Sequence, residues 1–189
     1  MEPSELFRRS PTSLEGVSDG DLWRQFLRLF AVEDIVWIGG IRDSGDPTHA
    51  VHFKPVRDWL DCRECPGSRI TPSTFRPGSF SRSKESVACR RFYVVESDTL
   101  AKRAQCAVIR YAMQFSRLRA IVYSGNRSLH AWLEIPTPAD ERDLALILPQ
   151  LGTDPAGFRP NQPFRMPGVK REDCESWTDL VYLDAEGSP

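Results

Sequence analysis

An α+β fold is predicted for this chain, on three observations. The second half of the sequence switches between strand-like and helix-like periodicity in the order strand, helix, strand, strand, helix, strand. Its third strand alternates apolar and polar residues, so one sheet face has to be covered by the two helices. The length of 189 residues suits one globular domain, and a chain of that size hides ~70% of its unfolded surface on folding.

The elements follow in order. Residues 1–18, with Pro3, Ser4, Ser10, Pro11, Ser13 and Gly16, read as a loose lead, and no apolar stretch there resembles a secretory signal. Asp19 or Asp21 can cap a helix whose apolar positions are Leu22, Phe26, Leu29 and Phe30. Residues 34–40 (DIVWIGG) read as a short strand, 49–60 are ambiguous, and the Pro- and Ser-rich stretch 66–86 reads mostly as loop. Residues 90–98 (RRFYVVESD) are strand-like, and 99–115 carry a helical stripe of Leu100, Ala104, Ala107, Val108, Tyr111 and Phe115. Residues 118–124 and 128–135 form a hairpin around Gly125. Thr137 caps a helix with Pro138 at its first position, which runs to about Leu151 with Leu144, Ile147, Leu148 and Leu151 inward. Leu180–Leu183 closes the set. The result is a ferredoxin-like, RRM-like βαββαβ core over 90–189 with an N-terminal α/β lobe over 1–89, both within a single domain of 1–189. The helices take Leu129, Ala131, Leu133 and Ile135, which leaves His130 and Trp132 facing outward on an open sheet.

Composition is that of an ordinary soluble protein, 40% hydrophobic and 27% charged, and no apolar run is long enough for a membrane span. No export signal and an odd cysteine count point to a reducing cytoplasm. Cys62 and Cys65 form one CxxC. Even with Cys89 as a third ligand and His49 or His52 as a distant fourth, it falls short of a regular four-ligand spacing, so a structural zinc is not expected. The net charge of −1 argues against a nucleic-acid partner until its distribution is considered: residues 1–61 carry −4, 62–91 carry +5 and 92–189 carry −2. The basic segment 62–91, with Arg76, Arg82, Lys84 and Arg90 among its cations, can attract phosphates while the whole chain stays neutral.

Three short patterns carry chemistry. Glu96 and Asp98, two residues apart at the end of an apolar strand, suit a hard divalent cation. The turn Ser124-Gly125-Asn126-Arg127-Ser128-Leu129-His130 offers backbone amides and side-chain donors to an anion. Asp154 can supply a third carboxylate after the second helix, and Arg165, Lys170 and Arg171 return positive charge nearby. Acids for metal ions, cations for a triphosphate and a face for a polynucleotide are what nucleotidyl transfer needs.

These motifs resemble the archaeo-eukaryotic primase superfamily, the primase-polymerases, and in particular its phage and plasmid members. That family has an acid-x-acid motif closing a strand, here Glu96-Ser97-Asp98, then Ser-Gly-x-x-Ser/Gly-x-His, here Ser124 to His130, then a carboxylate after a helix, here Asp154. The phrase FRMPGVKR from Phe164 is also similar to mobile-element primases, while Glu96 replaces the commoner Asp. The resemblance covers about residues 70–183. It implies a DNA primase-polymerase, with Glu96, Asp98 and Asp154 holding two Mg²⁺ or Mn²⁺ ions and Ser124, Arg127, Ser128, His130 and Arg165 on the nucleotide. His130 would be catalytic with the three acids. It also implies a single-stranded DNA template held by Arg76, Arg82, Lys84, Arg90, Trp132, Lys170 and Arg171, nucleoside triphosphates as substrates and a replicative helicase in cis or trans. The rival reading is a non-catalytic RRM-like module that stacks bases on exposed aromatics. A relaxase-like nicking enzyme is disfavoured by the lack of paired histidines, and a degenerate scaffold by the intact motifs.

Overall fold

A computed structural model describes residues 3–8, 10–40, 47–171 and 174–187. Met1, Glu2 and Arg9 of the lead lie outside the described residues, as does the side chain of His49. Fourteen helices and strands run in the order α1 (Pro3–Phe7), α2 (Leu22–Leu27), β1 (Ile35–Gly39), β2 (Phe53–Pro55), α3 (Val56–Leu60), β3 (Arg69–Phe75), β4 (Val87–Arg90), β5 (Phe92–Val95), α4 (Lys102–Ala112), β6 (Leu118–Tyr123), β7 (Leu129–Glu134), α5 (Pro138–Gln150), β8 (Phe164–Arg165) and β9 (Asp179–Leu183). The α+β class and the βαββαβ order stand. Two antiparallel sheets form, one ordered β2-β1-β3-β4 with β8 also pairing β3, the other β5-β7-β6-β9. The last strand therefore lies outside β6, whereas a ferredoxin-like sheet places it beside the first strand.

Several local expectations hold. The Thr137 hydroxyl accepts from the Asp140 amide, with Pro138 opening α5, and β6 and β7 pair as a hairpin from Tyr123↔Leu129 onward. Others need correction. The lead contains a short helix, and Leu6 is buried. Neither Asp19 nor Asp21 caps α2 through its side chain; a 3₁₀ turn over Asp19–Asp21 precedes the helix instead. The stretch read as loop contains β3, in the middle of the first sheet. Residues 90–98 are not one strand, because Arg90 ends β4 in the first sheet and Phe92 begins β5 in the second. The inward face of α4 is Gln105, Cys106, Val108, Ile109 and Ala112, with Phe115 exposed. On α5 only Leu144 and Leu148 are buried, while Ile147 and Leu151 face out.

The larger correction concerns the sheet face read as open. As expected, Leu129, Ala131 and Leu133 of β7 pack with Tyr93, Val95, Ile109 and Leu148 on the helical side. On the other face Phe92, Val94, Ala120, Val122 and Trp132 join Trp23 and Phe26 of α2, Ile38 of β1, Ile70 of β3 and Phe164 of β8 in one cluster. Trp132 is fully buried, edge-on to Phe26 at 5.0 Å and to Phe92 and Phe164 at 5.9 Å. Such pairs add about 0.5–1.5 kcal/mol each beyond the area they bury. The first sheet and α2 thus form a lid over the face that carries His130.

Candidate active site

The site forms at one end of β5. The strand stops at Val95, and Glu96, Ser97 and Asp98 follow as the chain turns toward α4. Buried Ser97 ties that turn down: its hydroxyl donates to the Gly152 carbonyl at 2.6 Å and accepts from the Leu100 amide at 3.2 Å. The Asp154 amide donates to the Glu96 carbonyl at 2.9 Å, so the turn after α5 is stitched to the first two acids. Asp154 then caps the 3₁₀ turn Pro155–Phe158, one oxygen accepting from the Ala156 amide at 2.8 Å. Gly157 of that turn presses on β5 so closely that a Cβ would lie 1.8 Å from the Val94 carbonyl oxygen.

The glycine turn between β6 and β7 closes the second side. Gly125 has φ +78, and a Cβ there would lie 2.7 Å from the Trp177 carbonyl oxygen, so only glycine fits. The Ser128 amide donates to the Ser124 hydroxyl at 3.1 Å, and the Ser128 hydroxyl donates to Asp98. Gln105, buried on α4, braces the turn from behind. Its Oε1 accepts from the Leu129 amide at 2.8 Å, and its Nε2 donates to the carbonyls of Leu100 and Arg127 at 2.7 and 3.1 Å. Arg127 is exposed beside it. His130 comes next on β7, buried and edge-on to Phe164 at 5.9 Å. Its Nδ1 has no hydrogen-bond partner among the described residues, and its Nε2 is 3.7 Å from Glu96. That is too far for a hydrogen bond.

Charge is crowded here. Burial, reinforced by the charges of Asp98 and Asp154, pushes the Glu96 carboxyl up to about 7, against the pull of Arg69. Burial drives the His130 imidazole down to about 3, although Asp98 opposes it; Arg165, Arg69 and Arg171 act with the burial. His130 is therefore neutral at pH 7 and forms no ion pair with Glu96. Arg69 and Arg165 stand directly opposite one another on β3 and β8, an unfavourable pairing of like charges. Burial lowers the Arg69 pKa, and repulsion from Arg165, Arg171 and Arg82 lowers it further, with Glu96 opposing. Carboxylates and arginines thus act on one another at this end of the sheet.

Among the described residues, no three His, Cys, Asp or Glu side chains already converge on one point as a ready cage for an ion. The donor set nevertheless suits Mg²⁺ or Mn²⁺: it is oxygen-only, and its charges are poorly compensated within the chain.

Most of the residues read from the sequence gather here: Glu96, Asp98, Asp154, Ser124, Arg127, Ser128, His130 and Arg165, with Arg171 donating to the Ser124 carbonyl at 2.8 Å. The remaining candidates do not. Arg90 is bound to Glu141 and donates to the Phe158 carbonyl at 2.7 Å, so its guanidinium is occupied within the fold. Trp132 is in the core and cannot stack on a template. Arg76 donates to the Glu85 carbonyl, and exposed Lys84 lies beside it between β3 and β4. Arg82 lies over the Trp37 ring at 4.3 Å. The CxxC thiols are free: Cys62 donates to the Asp58 carbonyl and Cys65 to the Gly67 carbonyl.

Two contributors were not read as site residues. Arg69 lies in the Pro- and Ser-rich stretch whose composition reads as loop, and Gln105 is a polar residue one position off the helical stripe read from the apolar residues. A strand assignment over 69–75 would have put Arg69 beside the site.

A solved structure of the primase-polymerase domain of cyanophage S-2L is similar over 89% of this chain and 91% of that one, with a TM-score of 0.56 and 14% identity. The chain has the archaeo-eukaryotic primase-polymerase fold. No protein-family model and no curated protein matches its sequence. No helix among the described residues is long and apolar enough to cross a membrane.

Proposed function

We propose that this chain is a metal-dependent nucleotidyltransferase that copies single-stranded DNA, making or extending primers in the replication of a mobile element. The observation that carries this reading is the opposition of charges: Glu96, destabilised by Asp98 and Asp154, lies in the field of Arg69, which is itself repelled by Arg165 across the β3–β8 pair. A fold of this size gains nothing by burying like charges together unless a ligand resolves the repulsion.

Glu96, Asp98 and Asp154 are the residues that would hold two Mg²⁺ or Mn²⁺ ions. When bound, these ions would lower the pKa of an attacking 3′-hydroxyl and neutralise the leaving pyrophosphate. The Ser128 hydroxyl orients Asp98, and the hydrogen bond from the Ser128 amide to the Ser124 hydroxyl keeps the turn in register. Arg69, Arg165 and Arg171 bind the triphosphate of the incoming nucleotide, assisted by Arg127 at the rim. His130, neutral and fixed by Phe164, offers Nδ1 to a substrate oxygen as a donor in one tautomer. Arg76, Arg82 and Lys84 lie where the template backbone can be attracted. The non-catalytic RRM-like alternative loses its support, because the aromatic it needs on the sheet, Trp132, is buried.

The test is incorporation of labelled nucleotides on a single-stranded template with Mg²⁺ or Mn²⁺. Wild type incorporates, and Glu96→Ala/Asp98→Ala loses at least about a thousandfold, as expected for groups stabilising charge in the transition state. No incorporation by wild type, or equal activity in the double variant, refutes the proposal.

A further inference from the structure

A second concave site of about 440 Å³ lies beside the catalytic turn, lined by Arg24, Arg63, Cys65, Gly168, Lys170 and Trp177 among others. Its volume lies within the range of small-ligand pockets. Its wall is a short antiparallel ladder. The Gly168 amide donates to the Thr178 carbonyl, the Thr178 amide to Val169 and the Arg171 amide to Ser176, and Lys170 sits opposite Trp177. Cross-strand partners share a face, and successive residues point to opposite faces. Lys170 and Trp177 accordingly line the groove, while Arg171 reaches the other way to the Ser124 carbonyl. One ladder thus has one face on the nucleotide turn and the other in the groove.

The floor is rigid. Arg24 pairs with Asp21 and donates to the carbonyls of Cys62 and Arg63 at 2.6 and 3.1 Å, which fastens the CxxC segment to α2. Asp21 also accepts from Ser18 at 2.6 Å, so its charge is already met. Among the described residues Arg63 and Lys170 have no ion-pair partner, and Glu64 is the remaining acid on the lining. Trp23, Trp37, Trp59 and Trp132 are all buried, but Trp177 is 48% exposed. An indole held on a ladder, with two cations beside it that have no ion-pair partner among the described residues, matches a base and its flanking phosphates.

We infer that this groove binds single-stranded DNA, with a base stacked on Trp177 and the backbone held by Arg63 and Lys170, so that the strand reaches the carboxylates past the 168–178 ladder. This rests on the template-copying reading and specifies where the template lies. The same chemistry would also suit a free nucleotide, and the experiment separates the two.

The experiment titrates the full chain in EDTA, without triphosphates, with a labelled oligonucleotide of about 15 thymidines by fluorescence anisotropy, and in parallel with dTTP alone. The oligonucleotide binds, and Trp177→Ala weakens it about tenfold, as loss of one stacked base does. Trp177→Phe keeps most of the affinity. Arg63→Ala/Lys170→Ala lowers the slope of log affinity against log salt by about 1.4. Circular dichroism melting of each variant checks that it is folded, as expected for exposed positions. Unchanged affinity in folded Trp177→Ala and in the double variant overturns the groove, as does dTTP binding that both variants weaken as much as they weaken the oligonucleotide's. Either outcome leaves template copying standing if wild type still incorporates nucleotides. Wild type that binds no oligonucleotide also overturns the groove, and template copying then stands or falls by the incorporation assay alone.

Discussion

Glu96 sits where burial and two neighbouring carboxylates all oppose ionisation, and this has a measurable consequence for stability. The folded carboxyl holds its proton up to about pH 7 against an ordinary value of 4.5. The unfolded chain therefore releases its proton first as pH rises. In metal-free protein the contribution of this group is fully present below about pH 4.5 and declines as pH climbs to about 7, by ~3 kcal/mol at most. Glu96→Gln keeps the shape of the neutral form. In EDTA it should melt with wild type at pH 4.5 and several degrees above it at pH 8, while losing activity and any stabilisation by Mn²⁺. Equal melting temperatures at pH 8 would show that Glu96 is not strained by its neighbours. At this scale the sequence is a good guide wherever the residue type itself demands a partner, as with Glu96, Asp98 and His130. It fails for Trp132 and Arg90, because an indole or a guanidinium serves equally well in a core, in an ion pair or on a ligand. Only the burial of Trp132 and the Glu141 partner of Arg90 decide between these uses.

The elements that were legible are those whose pattern is self-contained. β6 and β7 announce themselves by alternation around a glycine turn, and α5 by its Thr137 cap and Pro138. β3 was hidden because Pro72 and the small polar residues around it look like loop, yet the pairing of β1 with β3 shifts register between Val36 and Ile38, opposite that proline. An irregularity of this kind is how a sheet accepts proline. Gly157 was invisible for a different reason. A close approach between backbones leaves no mark on periodicity, but here it sets the position of Asp154. Gly157→Ala puts a methyl against the Val94 carbonyl, and backbone on both sides must give way. We expect a loss of about 1–3 kcal/mol in stability. If Asp154 is a working ligand, kcat per folded molecule should fall more than tenfold, with Mn²⁺ needed at higher concentration. A lower melting temperature with unchanged kcat would remove Asp154 from the site.

For the whole molecule, the decisive feature is that both faces of the β5-β7-β6-β9 sheet are covered. The run Phe92–Val95 already hinted at this, since a strand buried on both sides shows no alternation. The alternation of β7 was read as an apolar and a polar face, yet the second face carries the largest side chain in the sheet. Because Trp132, Phe92, Val122 and Leu180 share one cluster with Trp23, Phe26, Ile38 and Ile70, the first 89 residues are part of the core that the C-terminal half needs. A fragment of residues 90–189 would expose that face and leave Trp132 without Phe26. It should therefore lack fixed near-ultraviolet dichroism and bind hydrophobic dyes. In the full chain Trp132→Ala should cost about 3–5 kcal/mol and lower a single transition, seen at the same denaturant concentration by tryptophan fluorescence and by far-ultraviolet dichroism. A fragment that folds by itself, or two separated transitions in the full chain, would mean that the halves are independent. The lid over His130 could then lift without unfolding the sheet. Coincident transitions would mean instead that the arginines on β3 and β8 are held against the carboxylates by the same packing that holds the fold.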